Sequence, residues 1–368
     1  MGQEIVVAGF IGAGGIARSH AFSLNSLKYY YNDAPEIELA AVSSATKESR
    51  ESFAKQFGFL KPCDIGEFIE NEKINSVFIL GPNKAHYEHF KAALGMKAIK
   101  RIYLEKPVCS SPDEEESIRN MVVQNPEIKV QVGYQYLFSA AVRDALSLWK
   151  SGMFGKPVHF DLKYYHGDYL KKEYRDKRIS RLTPAPDGGA MADLGSHAIS
   201  FLIAFLGNRI HITGALQAGH FDDVNDESDL FSQISLFDEK SNAAGTLSSS
   251  RVSSGTGDTL SFEIFAEKGA IRYSSVSPDY FEYYTEDSGL WTRKQTGSNY
   301  KPVTTFPSGH VPPGWHRPMI HAHYVFIQGG ESEIILPDIE HGLQVQRLLR
   351  ETAGHLEKFR KLRNDISR

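Results

Sequence analysis

The stretch VVAGFIGAGGIARSH, residues 6–20, decides how the N-terminal half is read. It starts as an apolar run and breaks at Gly12-Ala13-Gly14-Gly15-Ile16-Ala17, a G-x-G-x-x-A pattern. A helical pattern, Ile16–Lys28, follows. Each small residue has its own use. Gly12 permits a tight turn, Gly14 lets the backbone approach a pyrophosphate, and Ala17 allows close helix–strand packing. A helix N-terminus then offers free N–H groups and the positive end of its dipole to an anion. With a strand before and a helix after, the pattern means dinucleotide binding, and Gly12, Gly14, Gly15 and Ile16 are the expected contacts. The alternative is a glycine-rich turn in a nucleotide-free α/β domain.

The surrounding sequence supplies that context. Ile5–Ala8, Leu39–Ser43, Ser76–Leu80, Ile102–Leu104 and Lys129–Val132 read as buried strands. Between them lie the helical patterns Ile16–Lys28, Lys47–Phe57, His86–Met96 and Pro112–Val123. The last begins with a capping Ser111, Pro112 at the first helical position and Glu114 closing a capping box. This alternation predicts βαβ units and a parallel sheet over residues 1–135. At the end of the second strand the acid that would bind a ribose 2′-OH is missing. The chain reads Ser43-Ser44-Ala45-Thr46-Lys47, and hydroxyls beside Lys47 lean toward a 2′-phosphate, hence NADP over NAD. Ser43 and Ser44 read equally well as a loop capping the next helix.

Beyond residue 136 the texture changes. A helical stretch, Ala140–Lys150, precedes VHFDLKYYH, where Val158, Phe160, Leu162 and Tyr164 alternate with polar residues. DLFSQISLFD, TLSFEIFAEKGAIRYSS and YFEYYTED continue as strands joined by short turns such as Lys268–Gly269, predicting an antiparallel or mixed sheet. Ala190–Leu206 and His341–Leu362 read as helices, and Phe281–Pro318 is the most loop-like region. The fold class is therefore α/β, a doubly wound parallel sheet in 1–135 and an α+β domain in 136–368.

Two further stretches carry candidate chemistry. RIYLEKPVCS, residues 101–110, ends an apolar strand on Glu105, Lys106 and Pro107. Ligands of open α/β sheets bind outside the carboxyl ends of the strands, so Lys106, at the end of the expected fourth strand, is placed to face a substrate. The alternative is a solvated lysine beside a surface ion pair. GGAMADLGSHAISFLIAFLG, residues 188–207, sets Asp193 and His197 four apart at the start of a helix, on one face. An Asp–His pair orients an imidazole for general-base work. A capping Asp with a hydrogen-bonded interfacial His is the alternative.

Together these stretches resemble the Gfo/Idh/MocA oxidoreductases, the glucose-fructose oxidoreductase and inositol dehydrogenase family. The likeness runs through GFIGAGGIARSH, GPNKAHYEH, EKPV, VGYQYLFSAA, GGAMADLGSHAIS and LPDIEHGLQVQRLL. It implies a Rossmann domain followed by a large, mostly antiparallel open sheet that often forms a homodimer or homotetramer interface. It also implies hydride transfer between NAD(P) and a secondary alcohol of a sugar or cyclitol. Lys106 matches the catalytic lysine, and Asp193 and His197 match the catalytic pair. Pro82 and Asn83 match residues lining the nicotinamide half, with His86 beside them, and Glu105 matches an acid at the same end. Apart from the resemblance, Tyr134 and Gln135 are candidate substrate contacts, although Tyr134 reads equally as core. In this mechanism Lys106 hydrogen-bonds the reacting oxygen, His197 exchanges the hydroxyl proton, and Asp193 orients His197. The chain departs from the family at Tyr136-Leu137-Phe138, where an arginine is missing, at Ser200 in place of an Asp, and in the extension LKYYYNDAP. Two rival classes share the resemblance: a silent dinucleotide-binding regulator, and a dinucleotide-dependent glycosidase or lyase with transient oxidation.

Other features bound the reading. Lys171, Lys172, Arg175, Lys177, Arg178 and Arg181 crowd residues 169–181, as a solvated loop or as a receiver for an anionic sugar. His310, His316, His321 and His323 cluster in sequence, but His321 and His323 would share a face only in a strand, so no metal is expected. The 368 residues suggest two domains, and a net charge of −4 gives no whole-molecule attraction to nucleic acid or anionic membrane. Two cysteines, no leader-like N-terminus and no apolar run of spanning length predict a cytoplasmic protein without a membrane segment.

Overall fold

Five short, largely apolar segments and one three-residue edge segment pair side by side with a crossover between each, and that arrangement dictates a parallel sheet. A computed structural model describes residues 5–182, 188–218, 221–225, 227–297, 314, 316–329 and 336–366. The strands are β1 (Val6–Ile11), β2 (Ile37–Ser43), β3 (Lys61–Cys63), β4 (Ser76–Ile79), β5 (Arg101–Leu104) and β6 (Lys129–Val132). They run in the order β3-β2-β1-β4-β5-β6, all parallel. This is the doubly wound order in which the topology reverses between β1 and β4. Helices α1 (Gly15–Tyr30), α2 (Lys47–Phe57), α3 (Ile65–Ile69), α4 (His86–Leu94) and α5 (Pro112–Gln124) lie between strands. The capping box is present in shifted form: Ser111 Oγ accepts from Glu114 N at 3.3 Å, whereas Glu114 Oε2 accepts from the N–H of Ser110, one residue before the cap, at 2.8 Å.

One strand differs from expectation. β3 has three residues and contains Pro62, so it shows no periodicity, and an edge position tolerates the missing N–H. Lys106 consequently follows the fifth strand in chain order, not the fourth.

The chain divides into two compact units, residues 1–140 with 298–343, and residues 141–297 with 344–368. The second unit begins with most of α6 (Ala140–Lys150) and contains an eight-stranded sheet. Its strands are β7 (Pro157–Tyr165), β8 (Ile210–Ala218), β9 (Phe231–Asp238), β10 (Ala243–Ser250), β11 (Thr259–Ala266), β12 (Gly269–Ser274), β13 (Tyr280–Thr285) and β14 (Leu290–Gln295). They are ordered β14-β13-β12-β11-β7-β10-β9-β8, with only β7 and β10 parallel. Short helix α7 (Lys172–Asp176) and helix α8 (Ser196–Leu206) separate β7 from β8. Phe201 and Phe205 of α8 pack on Phe262 of β11. The expected alternation holds at Phe160, Leu162 and Tyr164, which are buried, while Val158 is 54% exposed. The opposite face carries a transverse row, Asp161, Glu263, Arg272, Glu282 and Arg293, in register across five strands. Arg272 reaches Glu282 at 2.6 Å and Arg293 reaches it at 2.9 Å. Alternate residues of one strand thus serve a core and an open polar face.

A later segment returns to the first unit. Helix α9 (His316–Gln328) lies on α1, whereas no helix was expected there. Its polar residues are buried and paired: His321 Nδ1 lies 2.7 Å from Tyr31 Oη, and Arg317 donates to the same hydroxyl at 2.7 Å. Tyr324 stacks on Tyr31 at 3.9 Å between ring centres and donates to Asp33. The extension LKYYYNDAP therefore supplies the surface on which α9 docks. Helix α10 (Ile339–Ile366) starts in the first unit and continues into the second. Among the described residues no helix is long and apolar enough to cross a membrane.

Candidate active site

In the first unit the site begins at the turn from β1 to α1. Gly12 has φ +123°, and a Cβ there would lie 2.6 Å from the Leu80 carbonyl carbon and 2.7 Å from Gly81 N. Both facts require glycine. Gly14 and Gly15 are opposite in kind: apart from the adjoining backbone, no atom of the described residues lies within 4 Å of where their Cβ atoms would be. No side chain caps α1 at Gly14, and its first turn holds no acid. Uncapped N–H groups beside two bare glycines form a cradle of the size and polarity a pyrophosphate needs. Ile16 stands half-buried behind it, and Ala17 is fully buried.

The carboxyl end of β4 closes against this turn. Pro82 precedes a single 3₁₀ turn, Asn83–Ala85, that leads into α4. His86 is fully buried, with Nε2 3.0 Å from Gly81 O and Nδ1 2.6 Å from Pro107 O. Burial holds its pKa below the ordinary histidine value, against the pull of these two carbonyls. His86 thus ties the end of β4 to the turn that carries Lys106, and any effect of its ring on a cofactor runs through those backbones. Lys106 is half-exposed, and the Lys106–Pro107 bond is cis.

Glu105 turns inward. Oε1 lies 2.9 Å from His20 Nε2, and Oε2 accepts from Lys106 N at 3.2 Å. Its charge acts on two buried phenols. Burial first, and the Glu105 carboxylate second, push Tyr103 and Tyr134 well above the ordinary tyrosine range. Tyr134 is 1% exposed and meets His341 edge-on at 5.6 Å, and Gln135 is 4% exposed. Both lie within the packed interior of the unit.

At the adenosine end, Ser43 is buried and Ser44 half-buried. Thr46, not either serine, caps α2, accepting from Ser49 N at 3.3 Å. Lys47 is exposed, 3.8 Å from Glu51. Arg50 was not foreseen; its guanidinium folds back on Ser44 O at 3.2 Å.

In the second unit, Asp193 lies in a π-helical turn, Met191–Gly195, that runs into α8. Its Oδ2 accepts from Arg181 at 2.8 Å and from Arg251 at 2.9 Å. Arg251 is 2% exposed and also donates to Arg181 O at 3.1 Å. His197 is buried, its ring 5.9 Å from that of Tyr164. Asp229, half-buried, accepts from Met191 N at 2.7 Å and so anchors the start of the turn; desolvation raises its pKa. Most cations of residues 169–181 have structural partners. Arg175 makes a bidentate pair with Asp223, and Lys172 pairs with Asp176. A depression of about 490 Å³ on the open face of the eight-stranded sheet is lined by Asp161, Lys163, Ser248, Arg272 and Glu282, among others, and by none of the predicted site residues.

His321 and His323 are helical and buried in the first unit, His316 meets Phe22 at 5.0 Å, and His310 lies outside the described residues. Among the described residues no three His, Cys, Asp or Glu side chains gather as a metal ion would need.

Residues 6–134 match the oxidoreductase family with an NAD-binding Rossmann fold, GFO/IDH/MocA, and residues 142–272 match the C-terminal domain of the same family. The chain belongs to the GFO/IDH/MocA oxidoreductase family. It is 27% identical over 285 residues to glucose-6-phosphate 3-dehydrogenase of Bacillus subtilis, covering 74% of this chain and 76% of that one. Levoglucosan dehydrogenase of Pseudarthrobacter phenanthrenivorans is 24% identical over 296 residues, 72% and 73% of the two chains. A solved levoglucosan dehydrogenase in complex with NADH and levoglucosan superposes with a TM-score of 0.84 at 20% identity, over 97% of this chain and 98% of that one, a likeness of fold. The family has an NAD-binding first domain, and the open glycine turn leaves room where the pyrophosphate of such a cofactor could sit.

Within this family frame, sequence reasoning missed His20, Arg50 and Arg251. His20 had a signal: a histidine on the otherwise apolar face of α1, at Ala17, Ala21 and Leu24. Arg251 had none, since it stands 58 residues from its carboxylate.

Proposed function

We propose that this oxidoreductase is an NAD(P)-dependent dehydrogenase of secondary alcohols on sugars or cyclitols. One observation carries the reading. Gly12 packed against Leu80 and Gly81, and His86 joined to Gly81 and Pro107, lock the glycine cradle, the Pro82–Asn83 turn and the Lys106 turn into one structure. A dinucleotide seated on the cradle would have Pro82, Asn83 and Lys106 at hand for its nicotinamide end. The cofactor supplies the hydride acceptor in oxidation and the donor in reduction.

The chain's own residues do the rest. Lys106 donates a hydrogen bond to the reacting oxygen and stabilises charge as it develops there. His197 takes the hydroxyl proton in oxidation and returns it in reduction. Asp193, held by Arg181 and Arg251, presents a fixed carboxylate on the helical segment that carries His197. Tyr134 and Gln135 support the substrate end from behind. The named relatives act on glucose 6-phosphate and levoglucosan, and those sugars with myo-inositol are the first probes for this chain.

Finer assignments belong to the same proposal. The lack of an acid at the very end of β2, where Ser43 and Ser44 stand, with Lys47 and Arg50 nearby, supports acceptance of a 2′-phosphate and hence of NADP as well as NAD. The open face of the eight-stranded sheet, with Trp291 43% exposed, suits a homodimer or homotetramer, tested by light scattering after gel filtration. Two buried free cysteines, Cys63 and Cys109, fit a reducing cytoplasm.

The test is nicotinamide absorbance with each sugar and NAD⁺ or NADP⁺. Turnover is expected with at least one sugar, falling by on the order of 10²–10³ in Lys106→Met while NADH binding persists. Near-normal turnover in that variant overturns the reading, and binding without turnover favours the silent regulator.

A further inference from the structure

Three buried titratable side chains form a chain beneath Lys106, and no catalytic role has yet been given to two of them. His323 Nε2 lies 2.8 Å from His20 Nδ1, and His20 Nε2 lies 2.9 Å from Glu105 Oε1. Both histidines are fully buried, and Glu105 is 7% exposed. The other carboxylate oxygen of Glu105 holds the backbone N–H of Lys106.

Hydrogen-bond bookkeeping orders the protons. An ionised carboxylate only accepts, so His20 Nε2–H donates to Glu105. A neutral imidazole then accepts at Nδ1, so His323 Nε2–H donates to His20. Complete burial holds the pKa of His323 well below the ordinary value, which keeps it neutral. Its Nδ1 is left as a buried acceptor without a partner among the described residues. The direction is thus His323 to His20 to Glu105 to the Lys106 backbone.

The surroundings hold the carboxylate in this one place. A Cβ on Gly133 would lie 2.5 Å from Glu105 Oε1, so the neighbouring strand end leaves just room for it. Tyr103 meets His20 edge-on at 5.0 Å and His323 at 5.5 Å, and Phe78 meets His323 at 5.4 Å. His20 belongs to α1, the helix whose N-terminus is the pyrophosphate cradle. His323 belongs to α9, and Glu105 and Lys106 follow β5.

We propose that His20, backed by His323, is a positioning residue for the catalytic lysine: through Glu105 it fixes the backbone from which Lys106 projects. The proposal rests on the reading of Lys106 as the group that polarises the substrate oxygen. His20 itself touches neither substrate nor cofactor in this scheme. Because the same histidine is built into the cradle helix, the cofactor's pyrophosphate end and the lysine are aligned by one side chain.

The experiment is a double-mutant cycle between His20→Leu and Glu105→Gln, with His20→Gln as the conservative variant whose amide still donates. Two readouts are taken: turnover with the fastest sugar of the panel, and acetylation of Lys106 measured peptide by peptide relative to Lys84 and Lys91. His20→Leu is expected to lower kcat at least tenfold with the NADH dissociation constant within about threefold. It is also expected to speed Lys106 acetylation at least threefold, as a lysine whose backbone is no longer held by Glu105 reaches the reagent more freely. The double variant should be no worse than Glu105→Gln alone, and His20→Gln should recover most of both signals. If His20→Leu does not fold, His20→Asn, whose amide is one bond too short to reach Glu105, replaces it. Additive effects in the cycle, or His20→Leu with unchanged kcat and unchanged Lys106 acetylation, overturn the proposal. Lys106→Met run in parallel separates the outcomes. If it turns over normally the functional reading fails, while the acetylation cycle still reports on His20 and Glu105 in the variants that retain the lysine.

Discussion

Gly14→Ala and Gly12→Ala, two substitutions of the same kind two residues apart, should fail in opposite ways. At Gly14 the backbone has φ −83° and ψ −168°, which alanine adopts without strain, and its Cβ would point into open space. Removing a glycine's freedom in the unfolded chain is worth about 0.4–1 kcal/mol, and alanine is a poorer cap by a similar amount. The net effect on stability is therefore near zero, a Tm change of about 2 °C or less. The new methyl does occupy the place where a pyrophosphate would approach the backbone. NADH affinity should fall at least tenfold, about 1.4 kcal/mol. At Gly12 the balance reverses. A φ of +123° costs alanine about 1–3 kcal/mol, and the backbone of Leu80 and Gly81, 2.6–2.7 Å away, cannot rotate aside as a flexible side chain could. A total of about 3 kcal/mol or more, at about 2–4 °C per kcal/mol, lowers Tm by roughly 6–12 °C. Fluorescence titration with NADH and thermal unfolding of both variants decide the matter. Gly14→Ala with wild-type NADH affinity, or Gly12→Ala with wild-type Tm, refutes the assignment of cradle and tight turn.

Four other outcomes follow from the same structure. Asp193→Asn leaves the buried Arg251 without its carboxylate and should cost about 2–3 kcal/mol in urea unfolding, below the full range for a buried pair because Asp193 is 28% exposed. Arg181→Ala, at a side chain 52% exposed, should cost under about 1 kcal/mol by the same measurement. Arg50→Ala should lower the ratio of kcat/KM with NADP to that with NAD about tenfold. Burial lowers His341 to about 4, so its contribution is whole above pH 6.5, where the unfolded histidine is neutral, and is lost as pH falls toward 4. The interval of 2.5 units corresponds to about 3 kcal/mol, and His341→Leu should flatten the unfolding free energy over that window.

Much of this was legible in the sequence where one local pattern had one local cause. The glycine loop, α2 and the capping box of α5 depend on residues within a few positions of each other, and α2 and α6 have the bounds that periodicity predicts. β10 was missed because AAGTLSSS, inside the sheet between β7 and β9, has almost no apolar alternation to detect. α9 was missed for a related reason. A segment rich in His and Arg reads as polar, yet His323, His321 and Arg317 find their partners on α1 or at Tyr31 just past its end, roughly 290–300 positions away in sequence. Lys106 and Asp193 stood out as charges next to apolar runs. What held each in place did not, because His20, His86 and Arg251 act through contacts that sequence spacing does not encode.

These long-range polar contacts share a physical logic. A buried polar group unmatched by a partner costs about 1–3 kcal/mol, whereas a misplaced leucine can usually repack. An α1–α9 interface made only of apolar residues would tolerate several rotations of one helix on the other. Here His20 with His323, Tyr31 with His321 and Tyr31 with Arg317 must all be satisfied together, which penalises every other setting. The rotation of α1 matters because its first turn presents the cradle N–H groups and its second turn presents His20 to Glu105. Angular freedom in that helix would spread the cofactor's pyrophosphate and the lysine's backbone over a range of relative positions, and hydride transfer tolerates little such spread. The histidines of α9 are on this view part of the alignment of the site, although none of them needs to touch the substrate.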